Sequence, residues 1–174
     1  MGISAVIKDA RKAAMKAVGV QPEAAEQDLL DTLKSEHEEV KGLLEDLQNA
    51  DTAPQRKALV QNIKQALVPH TKAEEKVLYA AIIALKDKDA QTDGHEGKIE
   101  HDLAAKTLQK LAAIPNAKSP EHKAAAKVLK ELVEHHIQEE ERNVWGDAKE
   151  HFSDKDRVAM NRRYLAAKAQ VKVS

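Results

Sequence analysis

The chain is predicted to be all-α: an up-down-up-down four-helix bundle with an additional N-terminal helix and a short C-terminal helix. Three observations make that prediction. Helix formers dominate, with alanine at 29 of 174 positions and only 6 glycines and 5 prolines. Strand formers are sparse, and the aromatic residues are limited to Tyr79, Trp145, Phe152 and Tyr164. Apolar residues recur in steps of three, four and seven along four long segments, the period of helices that bury one face. Four such helices joined by short connections pack most simply as a bundle of alternating direction.

The elements follow in order. Residues 1–20 set Ile3, Val6, Ile7, Ala10, Ala14 and Val18 at helical spacing, with Lys8, Arg11, Lys12 and Lys16 between them. This amphipathic segment lacks the continuous apolar stretch of a secretion signal, and its Ala and Val side is too weak to anchor in a membrane surface. It is expected to pack on its own bundle. Pro22 opens the first bundle helix, from Glu23 to about Gln48. Thr52 and Gln55 have the spacing of a capping box, with Pro54 in the first turn, so a second helix starts there and runs to about Lys86, kinked at Pro69 just before His70. Asp87 to Gly97, polar and carrying two glycines, reads as a connection into a third helix from about Lys98 to Ala113. Ser119 with Pro120 and Glu121 starts a fourth, reaching to about Glu150. Ser153 and Asp156 cap a last helix to about Gln170. The expected organisation is thus an N-terminal helix over 1–20, a bundle over 22–151 and a packed C-terminal helix over 153–170.

Composition narrows the chemistry. Lys and Arg total 28 against 29 Asp and Glu, a net charge of −1 that lacks the basic footprint of a nucleic-acid binder. No apolar run approaches the roughly 20 residues that span a bilayer, so a soluble, cytoplasmic protein is expected. Cysteine is absent, which removes disulfides, zinc-thiolate sites, iron-sulfur clusters and thiol catalysis. Any metal must be held by histidine and carboxylates.

His70 is followed by Glu74 and His136 by Glu140, each pair one helical turn apart. In a chain that is 33% charged, one such pair is an ordinary surface contact. The rest of each face changes the reading. The second helix steps through Ile63, Leu67, His70, Glu74, Val77 and Ala81, and the fourth through Leu129, Val133, His136, Glu140 and Val144. On the first helix, Leu30, Leu33, His37, Val40, Leu44 and Leu47 share a face, and on the third His101 precedes Ala104, Leu108 and Leu111. Each helix therefore carries one His on its apolar stripe, and two carry a Glu as well. Burying two unpaired carboxylates costs several kcal/mol each, and a bound cation removes that penalty. Four imidazoles and two carboxylates suffice for two metal ions about 3.5 to 4 Å apart with the carboxylates as bridges.

An internal repeat supports the constellation: His37 and His70 are 33 residues apart, His101 and His136 are 35, and each second His has a Glu four positions on. The stretch from His70 through Glu74, Glu75 and Leu78 to Tyr79 aligns without a gap on that from His136 through Glu140, Glu141 and Val144 to Trp145. The alignment selects His136 over His135. On these motifs the sequence, from Asp28 to about Trp145, resembles the hemerythrin-like family of HHE cation-binding domains. The resemblance implies that His37, His70, Glu74, His101, His136 and Glu140 ligate two iron ions in a non-heme di-iron centre, oxo- or hydroxo-bridged, and that dioxygen or a related small molecule such as nitric oxide or peroxide is bound. The pattern departs at Ala105, where oxygen-carrying members place a further His, so an open coordination position is expected there.

Glu75 and Glu141 are second choices as ligands, rotated about 100° off the stripe. His95 is expected on the surface in a loop, His122 and His151 at the ends of the bundle, and His135 at an exposed or boundary position. Tyr79 and Trp145 are expected to pack in the core, the alternative being a hydrogen-bonding or redox role beside the metals. The nitrogen-rich donor set favours a binding or sensing module for oxygen, nitric oxide or iron over the carboxylate-rich chemistry of oxygen-activating bundles. The alternative is a di-iron enzyme with peroxidase-like, ferroxidase or nitric-oxide-processing activity; a structural metal scaffold is disfavoured because such sites are coordinatively closed.

Overall fold

The computed structural model describes residues 24–173. The amphipathic segment over 1–20 and Pro22 lie outside the described residues. A 3-10 turn at Ala24–Glu26 leads into α1 (Leu29–Asn49), followed by α2 (Ala53–Glu74, continuing through a π-turn at Glu75–Tyr79 into Ala80–Ile83) and α3 (Lys88–Ala113). Then come α4 (Pro120–Arg142), α5 (Val144–His151) and α6 (Asp154–Lys168). Each of α1 to α4 packs on two neighbours, in the cyclic order α1, α2, α3, α4 and back to α1, and α6 lies across α1 and α2. The all-helical bundle is the predicted fold, and no described helix is long and apolar enough to cross a membrane.

Local chemistry explains most boundaries. Thr52 and Gln55 form the expected capping box around Pro54, and Ser153 and Asp156 form another at the start of α6. The Ser119 side chain accepts from the backbone N–H of His122. Elsewhere the structure departs from the sequence reading. Helix α1 begins at Leu29 and not near Glu23, because the Asp28 carboxylate accepts from Leu30 N–H at 2.9 Å and fixes the cap there. Along α2 the α-helix runs unbroken through Pro69, and the change of winding falls at Glu75–Tyr79. Three successive residues of that π-turn, Val77, Leu78 and Tyr79, are buried. The predicted long fourth helix is divided at Asn143 into α4 and α5.

The largest departure is at Asp87 to Gly97, read as a connection. Asp87 caps a helix that begins at Lys88, its side chain accepting from Asp89 and Ala90 N–H at 2.9 and 3.2 Å, so both glycines lie inside α3. They are there for contact. A Cβ at Gly94 would stand 2.9 Å from Ile83 Cγ1, and one at Gly97 would stand 2.5 Å from the Tyr79 hydroxyl. Close packing of α3 on the end of α2 thus overrides the roughly 1 kcal/mol helix penalty of each glycine.

The core is divided into two apolar clusters. One gathers Leu29, Leu33, Leu78, Tyr79, Ile82, Trp145 and Tyr164, the other Val40, Leu44, Ile63, Leu108, Leu129 and Val133. On α1 the boundary falls between Leu33 and Val40, around His37; on α2 it falls between Leu67 and Ala73, around His70. A polar layer therefore crosses the bundle between two apolar plugs. The C-terminal helix closes one side of that layer. Its Arg157 donates to the α1 cap Asp28 at 2.8 Å, and Asn161 donates to the Ala24 and Gln27 carbonyls at 2.8 and 3.1 Å.

Candidate metal centre

The structure brings all six sequence-predicted residues into that one layer, and each is 6% exposed or less. Helix α1 supplies His37, α2 supplies His70 and Glu74, α3 supplies His101, and α4 supplies His136 and Glu140. The Nε2 atoms face inward. Glu74 Oε2 lies 3.3 Å from His70 Nε2 and 3.5 Å from His101 Nε2, while Glu140 Oε2 lies 3.2 Å from His136 Nε2 and 3.7 Å from His37 Nε2. Each carboxylate therefore reaches one imidazole of each half, the placement a bridge requires. His101 and His136 Nε2 are 3.0 Å apart, and the His37 and His70 rings meet edge to face at 5.1 Å. Two groups of three, His37 with His70 and Glu74, and Glu74 with His101 and His136, each have donor atoms within 4.8 Å of one another.

The outward nitrogens form a second ring that the sequence reading did not find. Each Nδ1–H donates to a carboxylate on an adjacent helix: His70 to Glu36 at 3.0 Å, His101 to Glu75 at 3.3 Å, His136 to Glu100 at 2.8 Å and His37 to Glu141 at 3.0 Å. The carboxylates on α1, α2, α3 and α4 serve α2, α3, α4 and α1 in turn, closing a cycle around the bundle. A proton held on Nδ1 leaves the Nε2 lone pair free and fixes the ring's orientation, the usual outer support of a metal-ligating histidine. Glu75 and Glu141, the second choices as ligands, here accept from the outward imidazole nitrogens. The signal lay in the sequence as an acid adjoining one inward group on each helix: Glu36 beside His37, Glu75 beside Glu74, Glu100 beside His101 and Glu141 beside Glu140.

The inner atoms fit a cation. Both oxygens of Glu74, Oε2 of Glu140 and Nε2 of His37 are buried without a hydrogen-bond partner. A buried carboxylate in that condition is costly unless positive charge stands beside it. Burial favours the neutral form of Glu74, yet His70 and His101 outweigh it and hold this carboxyl well below the usual range. Burial likewise opposes charge on His70, but Glu74 and Glu36 push it up to about 10; at His136, Glu100 and Glu140 push it up to about 9. Protons thus occupy a site that a metal ion would take over.

Larger side chains enclose the layer. Trp145 stacks on His37 with centroids 5.6 Å apart and an interplanar angle of 11°, and its indole N–H donates to Glu140 Oε1 at 3.0 Å. Tyr164 of α6 donates to Glu36 at 2.6 Å, and Lys168 pairs with the same oxygen at 2.8 Å. Tyr79 meets the His101 ring edge to face at 5.3 Å, and its buried hydroxyl, beside Glu140, completes no hydrogen bond among the described residues. Both aromatic residues are core members as expected, and Trp145 also makes the hydrogen bond that the alternative reading allowed.

The remaining histidines separate clearly. His95 is exposed, on α3 and not in a loop; His135 and His151 are exposed. His122 is buried far from the layer, 3.5 Å from Arg56 Nη2, and burial and that guanidinium push its pKa down. Ala105 is exposed and its neighbour Ala104 is the buried residue one turn beyond His101, so position 105 does not border the layer as the sequence suggested.

Residues 28–148 match the family model described as the hemerythrin HHE cation binding domain, and the chain belongs to that family of cation-binding domains. Among curated proteins, a DNA nickase from Nostoc sp. is 25% identical over 174 residues, which cover 98% of this chain and 48% of that protein. The chain therefore spans about half the length of this relative. No solved structure matches the chain.

Proposed function

We propose that His37, His70, Glu74, His101, His136 and Glu140 hold two iron ions and that the protein binds dioxygen or nitric oxide there, as a binding or sensing module. The observation that carries this reading is the pair of buried carboxylates, each with an inward oxygen that has no hydrogen-bond partner among the described residues and lies within reach of imidazoles from both halves. A single ion needs three or four ligands, whereas six convergent donors with two shared carboxylates suit a pair. Bound there, iron supplies one-electron redox chemistry at each ion and coordination positions for a small ligand.

The chain's own residues set the terms. The four imidazoles are held by outward Nδ1–H bonds so that the donor set is pre-oriented. Trp145 fixes one Glu140 oxygen and leaves the other facing the layer. The apolar plugs on either side keep bulk water out, which strengthens each electrostatic contact within. Four neutral imidazoles against two carboxylates give less anionic donation than a carboxylate-rich bundle, which favours ligand binding over oxidative turnover.

Anaerobic, iron-loaded, reduced protein mixed with dioxygen, and separately with nitric oxide, tests the reading. A new absorption spectrum that forms in proportion to iron supports it. Sustained oxidation of an electron donor by peroxide at tens of turnovers per second, roughly the ordinary enzyme range, would favour the enzymatic alternative.

A further inference from the structure

A crevice of about 10 Å³, close to the room one water needs, opens between α3 and the end of α4. Its walls descend from exposed Glu96, past half-buried Asp93, Glu100 and Glu139, to buried His136 and Glu140. Tyr79 forms part of the floor, fully buried, its hydroxyl beside Glu140 but without a well-formed hydrogen bond among the described residues. Gly97 makes that floor possible, since any Cβ there would displace the phenol. The basic side chain at the rim is Arg142, which pairs with Glu139, and His135 lies 3.5 Å from Glu100. The acids therefore outnumber the cations around an opening that leads to one half of the layer. Burial and the charges of Glu96, Asp89 and Glu139 push the Asp93 carboxyl above its ordinary range, and the nearby Arg142 does not offset them.

We propose that this crevice is the port by which a divalent cation enters, with Asp93, Glu96 and Glu139 holding the hydrated ion at the mouth and the Tyr79 hydroxyl receiving it at the floor before it passes to His136 and Glu140. The proposal rests on the metal-centre reading above. Carboxylate and phenol oxygens are suitable transient ligands for a hard divalent ion, and a cleft lined with one sign of charge focuses the field and raises the local concentration of the opposite sign. A neutral gas gains nothing from such a lining. The His37/His70 half has other neighbours, with Trp145 over one ring and Tyr164 and Lys168 on the partner of the other.

The test is the rate at which the metal-free full chain takes up Co²⁺, and anaerobically Fe²⁺, in stopped-flow absorption. The chains compared are wild type, Asp93→Asn/Glu96→Gln, and Asp31→Asn/Glu39→Gln, which makes the same charge change at exposed positions of α1. The port variant is expected to load roughly tenfold more slowly at low ionic strength, with the difference shrinking at high salt and the final stoichiometry unchanged. Loading at the wild-type rate, equal slowing in the α1 variant, or a lower final stoichiometry overturns the port. A wild-type chain that takes up no metal overturns the centre itself, and the port with it.

Discussion

In the α1/α2 half of the centre, His37 lies under the Trp145 ring, and His70 is backed by a carboxylate that Tyr164 and Lys168 grip from α6. In the α3/α4 half, His101 lies under Tyr79, whose hydroxyl is unsatisfied, and His136 borders an acidic crevice. The donors are the same and the two stretches align without a gap, so the difference comes from what covers each half. Trp145 and Tyr79 occupy equivalent positions, yet the indole N–H donates to Glu140 at 3.0 Å while the phenol, also beside Glu140, completes no hydrogen bond among the described residues. Regular α-helix also ends soon after the inward Glu in both halves, as a π-turn after Glu74 and as a break at Asn143 after Glu140.

The largest effect is expected where the halves are joined. Glu74→Ala removes the carboxylate that reaches both His70 and His101 and should abolish the paired centre, whereas His122→Ala, far from the layer, should leave metal content at the wild-type value. Elemental analysis of the two variants side by side checks the contrast. Equal losses would mean that the polar layer is not the metal site.

Next in size is the pH dependence of the metal-free chain. His70 and His136 have folded pKa values raised to about 10 and about 9. A raised value contributes stability that is full below the unfolded pKa of about 6.5 and is lost as pH climbs through the folded value. Metal-free protein should therefore lose thermal stability between about pH 7 and 10, the α3/α4 half giving up its proton first. Metal competes with those protons, so the gain in Tm on adding metal should grow over the same interval. Thermal melts at several pH values, with and without metal, measure both slopes.

A smaller effect separates the two tyrosines. Tyr164→Phe removes a buried hydrogen bond to a carboxylate and should cost about 2 kcal/mol, while Tyr79→Phe deletes an unsatisfied hydroxyl and should be neutral or stabilising. Denaturant titration decides it, and a Tyr79→Phe variant as destabilised as Tyr164→Phe would contradict the unequal covers. A further contrast, of opposite signs, is at glycine. Gly97→Ala drives a Cβ into the Tyr79 ring and should cost about 1–3 kcal/mol. Gly42→Ala meets nothing within 4 Å on α1 and should stabilise by about 1 kcal/mol. Thermal melts of the two variants give both signs.

What was legible in the sequence depended on range. The capping boxes at Thr52 and Ser153 act over three residues, so they could be read directly. The inward stripe was readable because four helices repeat one pattern, and an isolated His with a Glu four positions on would have said little. Gly94 and Gly97 misled because their reason for being in a helix is the approach of Ile83 and Tyr79 from α2, which helix propensity does not encode. The outer ring was missed for a related cause: Glu36 serves His70 and Glu100 serves His136, each on the next helix, so the pairing depends on packing register between helices. Ala105 was singled out by the resemblance, as the place where oxygen-carrying members have a further His, and on α3 that position is exposed while Ala104 is buried.

The central claim is that one polar layer holds two metal ions. Metal content per chain, measured with the absorption spectrum on protein purified from iron-supplemented cells, tests it most directly. The account predicts two irons per chain, both lost together in Glu74→Ala. A reproducible single metal, or zinc retained in preference to iron under iron-replete conditions, would contradict it.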